Sequence, residues 1–180
     1  GTFETSLTLS YSETQALANG RFGIYTYSGS GAVYAPFETY TPVTFLPVPK
    51  VTIDGALNDL DPTKANLVTV HGSGFVPNAP TTSGSRPPLA GKFTGVYVAF
   101  GSYASTWRPS ANAPTSTRAG LDVKWAVPTE SIATIGGEAA GAIELKADGT
   151  FTTKLRLTPD QAKTVADGSW GIATYAGGGS

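Results

Sequence analysis

The sequence has no cysteine, no methionine and a single histidine, and Lys, Arg, Asp and Glu together make up only 14% of its 180 residues. Without cysteine there can be no disulfide, thiol nucleophile, zinc–thiolate site or iron–sulfur cluster. The missing sulfur does not argue for the cytoplasm, because a chain with nothing to oxidise also suits an oxidising surface. The net charge is −1, and no basic stripe is present to neutralise phosphates, so nucleic acid is not an expected partner. The apolar runs fall well short of the roughly 20 residues that cross a bilayer, so the chain is not expected to span a membrane. No leader segment is recognisable, which a mature or truncated chain would have lost in any case.

Thr, Ser, Gly and Pro fill the place left by charge, while apolar residues stay at 40%, enough to bury a core. Thr favours strands, and Gly and Pro make turns. This is the composition of a β-rich extracellular protein, at the cell surface or in the cell wall.

The chain begins and ends alike. "GTFETSLTLSYSETQALANGRFGIYTYSGSG" from Gly1 and "GTFTTKLRLTPDQAKTVADGSWGIATYAGGG" from Gly149 align without a gap, with 14 of 31 positions identical. Each copy predicts a half-buried strand, with Phe3, Thr5, Leu7 and Leu9, or Phe151, Thr153, Leu155 and Leu157, on the apolar face. A short helix is predicted next, from capping boxes at Ser10–Glu13 and Thr158–Gln161, with Pro159 at the first helical position. It stops at Asn19-Gly20 or Asp167-Gly168, pairs suited to positive φ. A second strand follows, with Phe22, Ile24 and Thr26, or Trp170, Ile172 and Thr174, facing in.

Only the first copy continues into another strand, in "APFETYTPVTFLPVP", where Thr41, Val43 and Phe45 share a face and Pro42 marks an edge or a bulge. The chain therefore reads as a window onto a longer repeat. Residues 1–46 are the C-terminal part of one unit, its last three strands, and residues 47–180 are a second unit lacking its final strand. Four more strands are predicted between the copies: Val51–Asp54, Leu67–Phe75, Gly95–Gly101 and Leu121–Val127, the last burying Leu121, Val123 and Trp125. The expected fold is all-β: an immunoglobulin-like antiparallel sandwich with one short helix between two strands.

"VTVHGSGFVPN", "GVYVAFG", a Trp-containing loop, "VKWAVP", "LKADGTFTTKL" and "GIATY" follow in that order, and "ETYTPVTF" supplies a closing strand. Together they resemble the Ig-like, neocarzinostatin-like repeat module of actinobacterial surface proteins that accompanies haem-transport-associated (Htaa) domains. The resemblance implies an extracellular envelope module, not the haem-binding domain itself. A cysteine pair found near the "GIATY" strand in that family is missing.

His71 lacks a second His, Cys or Met to share a haem iron, and tyrosine is the only other axial-ligand type available. It reads as a surface histidine. The stretch "DGALNDLDP" (Asp54, Asp59, Asp61) fits no calcium-loop spacing and reads as turn chemistry; no metal and no cofactor are expected. Tyr25, Tyr27, Tyr34 and Tyr40 form an aromatic cluster suited to an interface or to a flat ligand, haem or glycan. Trp107 and Arg108 are either a recognition pair or the anchor of a long loop. There is no nucleophile elbow or phosphate loop, so no enzyme is expected.

The leading expectation is a structural or adhesive repeat that partners itself or neighbouring repeats. In it Thr39, Thr41, Val43 and Phe45 form a donor strand for an open slot, and repetition of that contact would build a filament. A small-ligand module, a truncated array with an empty edge, and a flap of residues 1–46 on the second unit are the alternatives.

Overall fold

A computed structural model of the protein describes residues 1–8, 22–45, 47–55, 57, 58, 60–77 and 83–179. The chain divides into two compact units, Gly1–Leu46 and Pro47–Ser180.

In the first unit, β1 (Gly23–Thr26) and β2 (Thr39–Pro42) form an antiparallel pair, preceded at β2 by a 3₁₀ turn, Ala35–Phe37, that Pro36 starts. Gly23 faces Pro42, Ile24 faces Thr41, Tyr25 faces Tyr40 and Thr26 faces Thr39. Pro42 fits because a two-stranded sheet leaves every strand an edge. The register is fixed by side chains on both faces. The Thr26 and Thr39 hydroxyls share a hydrogen bond of 2.6 Å, and the Tyr25 and Tyr40 rings lie 4.7 Å apart. Beyond the strand, Val43 N–H donates to the Phe22 carbonyl, and Phe45 meets Phe22 edge to face at 5.9 Å. No described residue of this unit is buried. The strand expected from Phe3 to Leu9 does not form over residues 1–8, where Phe3 and Leu7 are exposed, because a strand persists only with a ladder partner. Leu9 and the helix expected from Ser10 to Gly20 lie outside the described residues.

The second unit is an all-β sandwich. Its strands are β3 (Lys50–Ile53), β4 (Asn66–Ser73), β5 (Val96–Tyr103), β6 (Arg118–Val127), β7 (Ala142–Glu144), β8 (Phe151–Leu157) and β9 (Ser169–Ala176). One sheet has the order β3-β4-β8, the other β7-β6-β5-β9, and every pair is antiparallel except β6 with β7. Strict alternation produces this: along β8, Phe151, Thr153, Leu155 and Leu157 are buried while Thr152, Lys154 and Arg156 face solvent. Val68, Val70, Val98, Phe100, Ala126, Phe151 and Leu155 close the core between the sheets.

Three local expectations are corrected. The short helix predicted from Thr158 is a single 3₁₀ turn, Gln161–Lys163. Asp160, not Thr158, caps it by accepting the Ala162 N–H, so the local Asx geometry wins over the capping box. An α-helix, α1 (Thr129–Ile132), lies instead in the stretch after β6, which also holds β7. Third, Val123 and Trp125 do not enter the core. The ladder places Lys124 opposite Val98 and Asp122 opposite Phe100, so the polar residues of β6 turn inward at the margin of the sheet, and a register shift at Phe100/Gly101 lets Leu121 reach the core.

Candidate functional site: an open sheet edge

The sandwich treats its two margins differently. At one, β8 approaches β6, and the Asp122 carboxylate accepts the Arg156 N–H at 2.7 Å while Lys124 pairs with Asp122 at 3.3 Å. A side chain thus satisfies a backbone donor that no strand covers. At the other margin β9 ends the four-stranded sheet and β3 ends the three-stranded one.

Along β9 this second margin reads Ser169, Trp170, Gly171, Ile172, Ala173, Thr174, Tyr175, Ala176, with no charge and no proline. Charge and proline, two of the devices that blunt an edge against strand addition, are missing from this strand. A groove of about 1130 Å³ runs beside it, with Ile172–Ala176 on one wall, Pro49 and Val51 on the β3 side, and Trp107 and Arg108 at the rim. Toward the start of β9 lies an apolar cavity of about 320 Å³ lined by Leu57, Leu60, Phe100, Leu157, Trp170 and Ile172. Trp170 stacks on Phe100 at 5.6 Å and forms part of that cavity's wall.

The outer face of the β5–β6–β9 sheet carries a row of rings. Trp125 meets Tyr97 at 5.0 Å, Tyr97 meets Tyr175 at 5.5 Å, Tyr175 meets Trp107 at 6.1 Å, and Trp107 meets Tyr103 at 5.0 Å. The Arg118 guanidinium lies 5.7 Å over Tyr175 and donates to the carbonyls of Trp107 and Pro114. These contacts strap the loop after β5 onto the sheet, so Trp107 serves as its anchor. Burial pushes the Tyr103 hydroxyl well above the ordinary range, with Tyr175 adding to the rise and Arg118 opposing it. Burial likewise raises Tyr175, against the pull of Arg118. Tyr97, Tyr103, Tyr175 and Arg118 are not among the candidates the sequence offers, and Trp125 is read there as a core residue. The period-two pair of Tyr97 and Tyr103 with Ala99 and Gly101, on the face opposite Val98 and Phe100, was the signal available.

Of the tyrosines singled out, Tyr25 and Tyr40 stack together, Tyr34 meets Phe37 edge to face at 4.8 Å, and Tyr27 is 77% exposed; all belong to the first unit. Trp107 and Arg108 belong to the second, at the groove rim. Thr39, Thr41 and Val43 lie opposite β1 and Phe22, and Phe45 lies against Phe22.

His71 bridges three strands' worth of backbone: Nε2 pairs with Asp54 Oδ2 at 3.0 Å and Nδ1 with Thr152 Oγ1 at 3.1 Å. The row lies on the solvent face of the three-stranded sheet, with His71 40% and Asp54 68% exposed. Its order is carboxylate–imidazole–hydroxyl, and it ties β4 to β8 and to the end of β3 as a polar cross-strand clamp. Asp61 turns back on its own loop, accepting the Thr63 N–H and hydroxyl, which lowers its pKa. Asp54 and Asp61 therefore have separate partners; Asp59 lies outside the described residues. Among the described residues no cluster of metal-ligating side chains forms and no helix is long and apolar enough to cross a membrane.

Comparison with family models, with curated proteins and with solved structures yields no match for this chain.

Proposed function

We propose that the protein is a non-enzymatic, extracellular repeat of a cell envelope, of the Ig-like kind its sequence resembles, whose work is assembly through β-strand pairing. The observation that carries this reading is the strand β9, without charge or proline, and the groove beside it, in a unit whose opposite margin is closed by Asp122. The first unit complements it. It offers a Thr- and aromatic-rich strand with no buried residue of its own, so partnering it with a core is favourable at roughly 25 cal/mol per Å² of apolar surface covered. The internal repeat supports the same reading, since repeated units that pair edge to edge propagate.

The test is the mass of the soluble chain by light scattering over a hundredfold range of concentration, compared with a chain lacking residues 1–46. Growth of mass for the intact chain, with the shortened one monomeric, is the expected result. Monomers throughout would sink the assembly reading. Interest would then shift to the exposed Tyr25–Tyr40 stack as a platform for a flat ligand, followed by haem titration in the Soret band or by glycan binding.

A further inference from the structure

His71 stands on the middle strand of the three-stranded sheet, with Thr52 of β3 opposite it on one side and Thr152 of β8 opposite it on the other. The core fixes that register from the other face of the sheet. Gly72 pairs with the buried Phe151, and a β-carbon at Gly72 would run into the Phe151 ring. A one-residue slip of β8 would turn Phe151 out to solvent, so Thr152 is held opposite His71. Asp54 is held by its own backbone: its N–H donates to the Thr69 carbonyl at 3.0 Å, and Gly55, at φ +93°, turns the chain immediately after it. Long-range pairing thus brings together a carboxylate, an imidazole and a hydroxyl that lie 17 and 81 positions apart.

The proton order in this row follows from what each group can do. A carboxylate only accepts, so Nε2, 3.0 Å from Asp54 Oδ2, carries the hydrogen of the neutral imidazole. Nδ1 is then the nitrogen with the free lone pair, and the Thr152 hydroxyl, 3.1 Å away, donates to it. A hydroxyl donating to an imidazole that a third group orients is a nucleophile in reach of its base.

We infer that Thr152 is a covalent acceptor site for an acyl group delivered by an activated ester. Thr152 Oγ1 attacks the ester carbonyl, its proton passes to His71 Nδ1, and Asp54 steadies the imidazolium. The carbonyl bond to the leaving oxygen then breaks, and that oxygen takes the proton from Nδ1. The products are an ester on Thr152 and the released alcohol, with no change of oxidation state. His71 is 40% and Asp54 68% exposed, so a donor can approach and water reaches the developing oxyanion. Base assistance is worth about 10²–10⁴-fold. That serves a donor with a good leaving group and falls far short of cleaving an amide. The reaction is therefore a modification of the chain, one acyl group for each Thr152, and it stands whether or not the chain assembles.

The intact chain is treated with p-nitrophenyl acetate at neutral pH, nitrophenolate release is followed by absorbance, and the product is digested and mapped by mass. Hydroxylamine, which removes esters and spares lysine amides, separates acylated hydroxyls from acylated amines. The expected result is an ester on Thr152 that forms at least about tenfold faster than one on Thr52, which faces the same His71 from β3. Thr152→Val should remove the fast phase of nitrophenolate release, and Thr152→Ser should restore it. Asp54→Asn reads the relay itself. The Asn amide can donate to Nε2 and so move the imidazole hydrogen to Nδ1, which should slow acylation of Thr152 at least about tenfold. A clamp that merely joins the strands would not respond, because Asn keeps the hydrogen bond. An ester on Thr152 that forms no faster than on Thr52, or forms at the parent rate in Asp54→Asn or His71→Gln, overturns the proposal. A fast release that survives Thr152→Val overturns it as well, since the imidazole would then be attacking the ester by itself.

Discussion

The rings on the outer face of the β5–β6–β9 sheet tie stability to pH through two tyrosines. Tyr103 donates its hydroxyl to the Ala99 carbonyl at 3.0 Å and is held neutral by burial, so its folded pKa lies above the ordinary value of 10.0. The folded state therefore binds the phenolic proton more tightly than the unfolded state. Stability is fully present below pH 10 and is lost as pH rises past the unfolded value toward the folded one. Tyr103→Phe is expected to lower stability near neutrality by about 1 kcal/mol, the worth of one hydrogen bond. It should also flatten the decline between pH 9.5 and about 11; urea titrations across that range check both effects. Gly149 is decisive for the opposite reason. Its φ is +79°, and a β-carbon there would run into the Phe75 carbonyl, so Gly149→Ala should cost about 2–4 kcal/mol in the same titration. Neighbouring Asp148 accepts the Thr150 hydroxyl and N–H, which holds its pKa low. Its contribution is present above the ordinary value of 3.8 and disappears as pH falls through the lower folded value.

The elements show why some of this was legible in the sequence and some was not. Val98 and Phe100 mark the inward face of β5, and β8 alternates cleanly between apolar and polar residues, so its span and inward face could be read from period two alone. β6 could not. Its sequence reads Leu121, Val123 and Trp125 as one apolar face, yet the ladder to β5 turns Asp122 and Lys124 inward and gives Trp125 to the outer ring row. No local pattern reveals that, because the reason lies in another strand: the β8 edge needs an acceptor for the Arg156 N–H, and Asp122 provides it. β7 was hidden because three residues after a 3₁₀ turn are too few to alternate. The cavity at Trp170 and the ring row that straps down Trp107 were not legible, because they depend on side chains brought together from distant strands. The role given to Asp122 predicts that Asp122→Ala leaves the fold intact and costs about 0.5–1.5 kcal/mol, the net worth of one hydrogen bond at an edge that water reaches. Hydrogen exchange should show the Arg156 amide losing protection while Val98 and Ala99 keep theirs. Equal protection in both chains would mean that the carboxylate does not close that margin.

Across the whole molecule the contrast is between a second unit with a closed core and a first unit none of whose described residues is buried. Residues from Val68 to Leu157 close a hydrophobic interior in the second unit, whereas Ile24, Tyr25, Val33, Tyr34 and Phe37 of the first stay exposed, and among the described residues the β1–β2 ladder is what pairs their strands. Core amides open only with global unfolding, while a lone two-stranded ribbon opens continually. In dilute solution the amides of residues 23–43 should therefore exchange at least a hundredfold faster than those of Val98 and Ala99. Concentration then separates an idle hairpin from a donor strand. If Thr39–Phe45 docks on β9 of another copy, protection should rise with concentration at Thr41 and Val43 and, in step with them, at those β9 amides that face away from β5. The Ile24 amide should gain nothing, because β1 loses its partner when β2 leaves. A rise confined to the first unit would mean that hairpins pair with hairpins and the β9 groove is not used. Paired gains at β2 and β9 with none at β1 require strand exchange, because pairing through the outer edge of an intact hairpin would protect β1 as well.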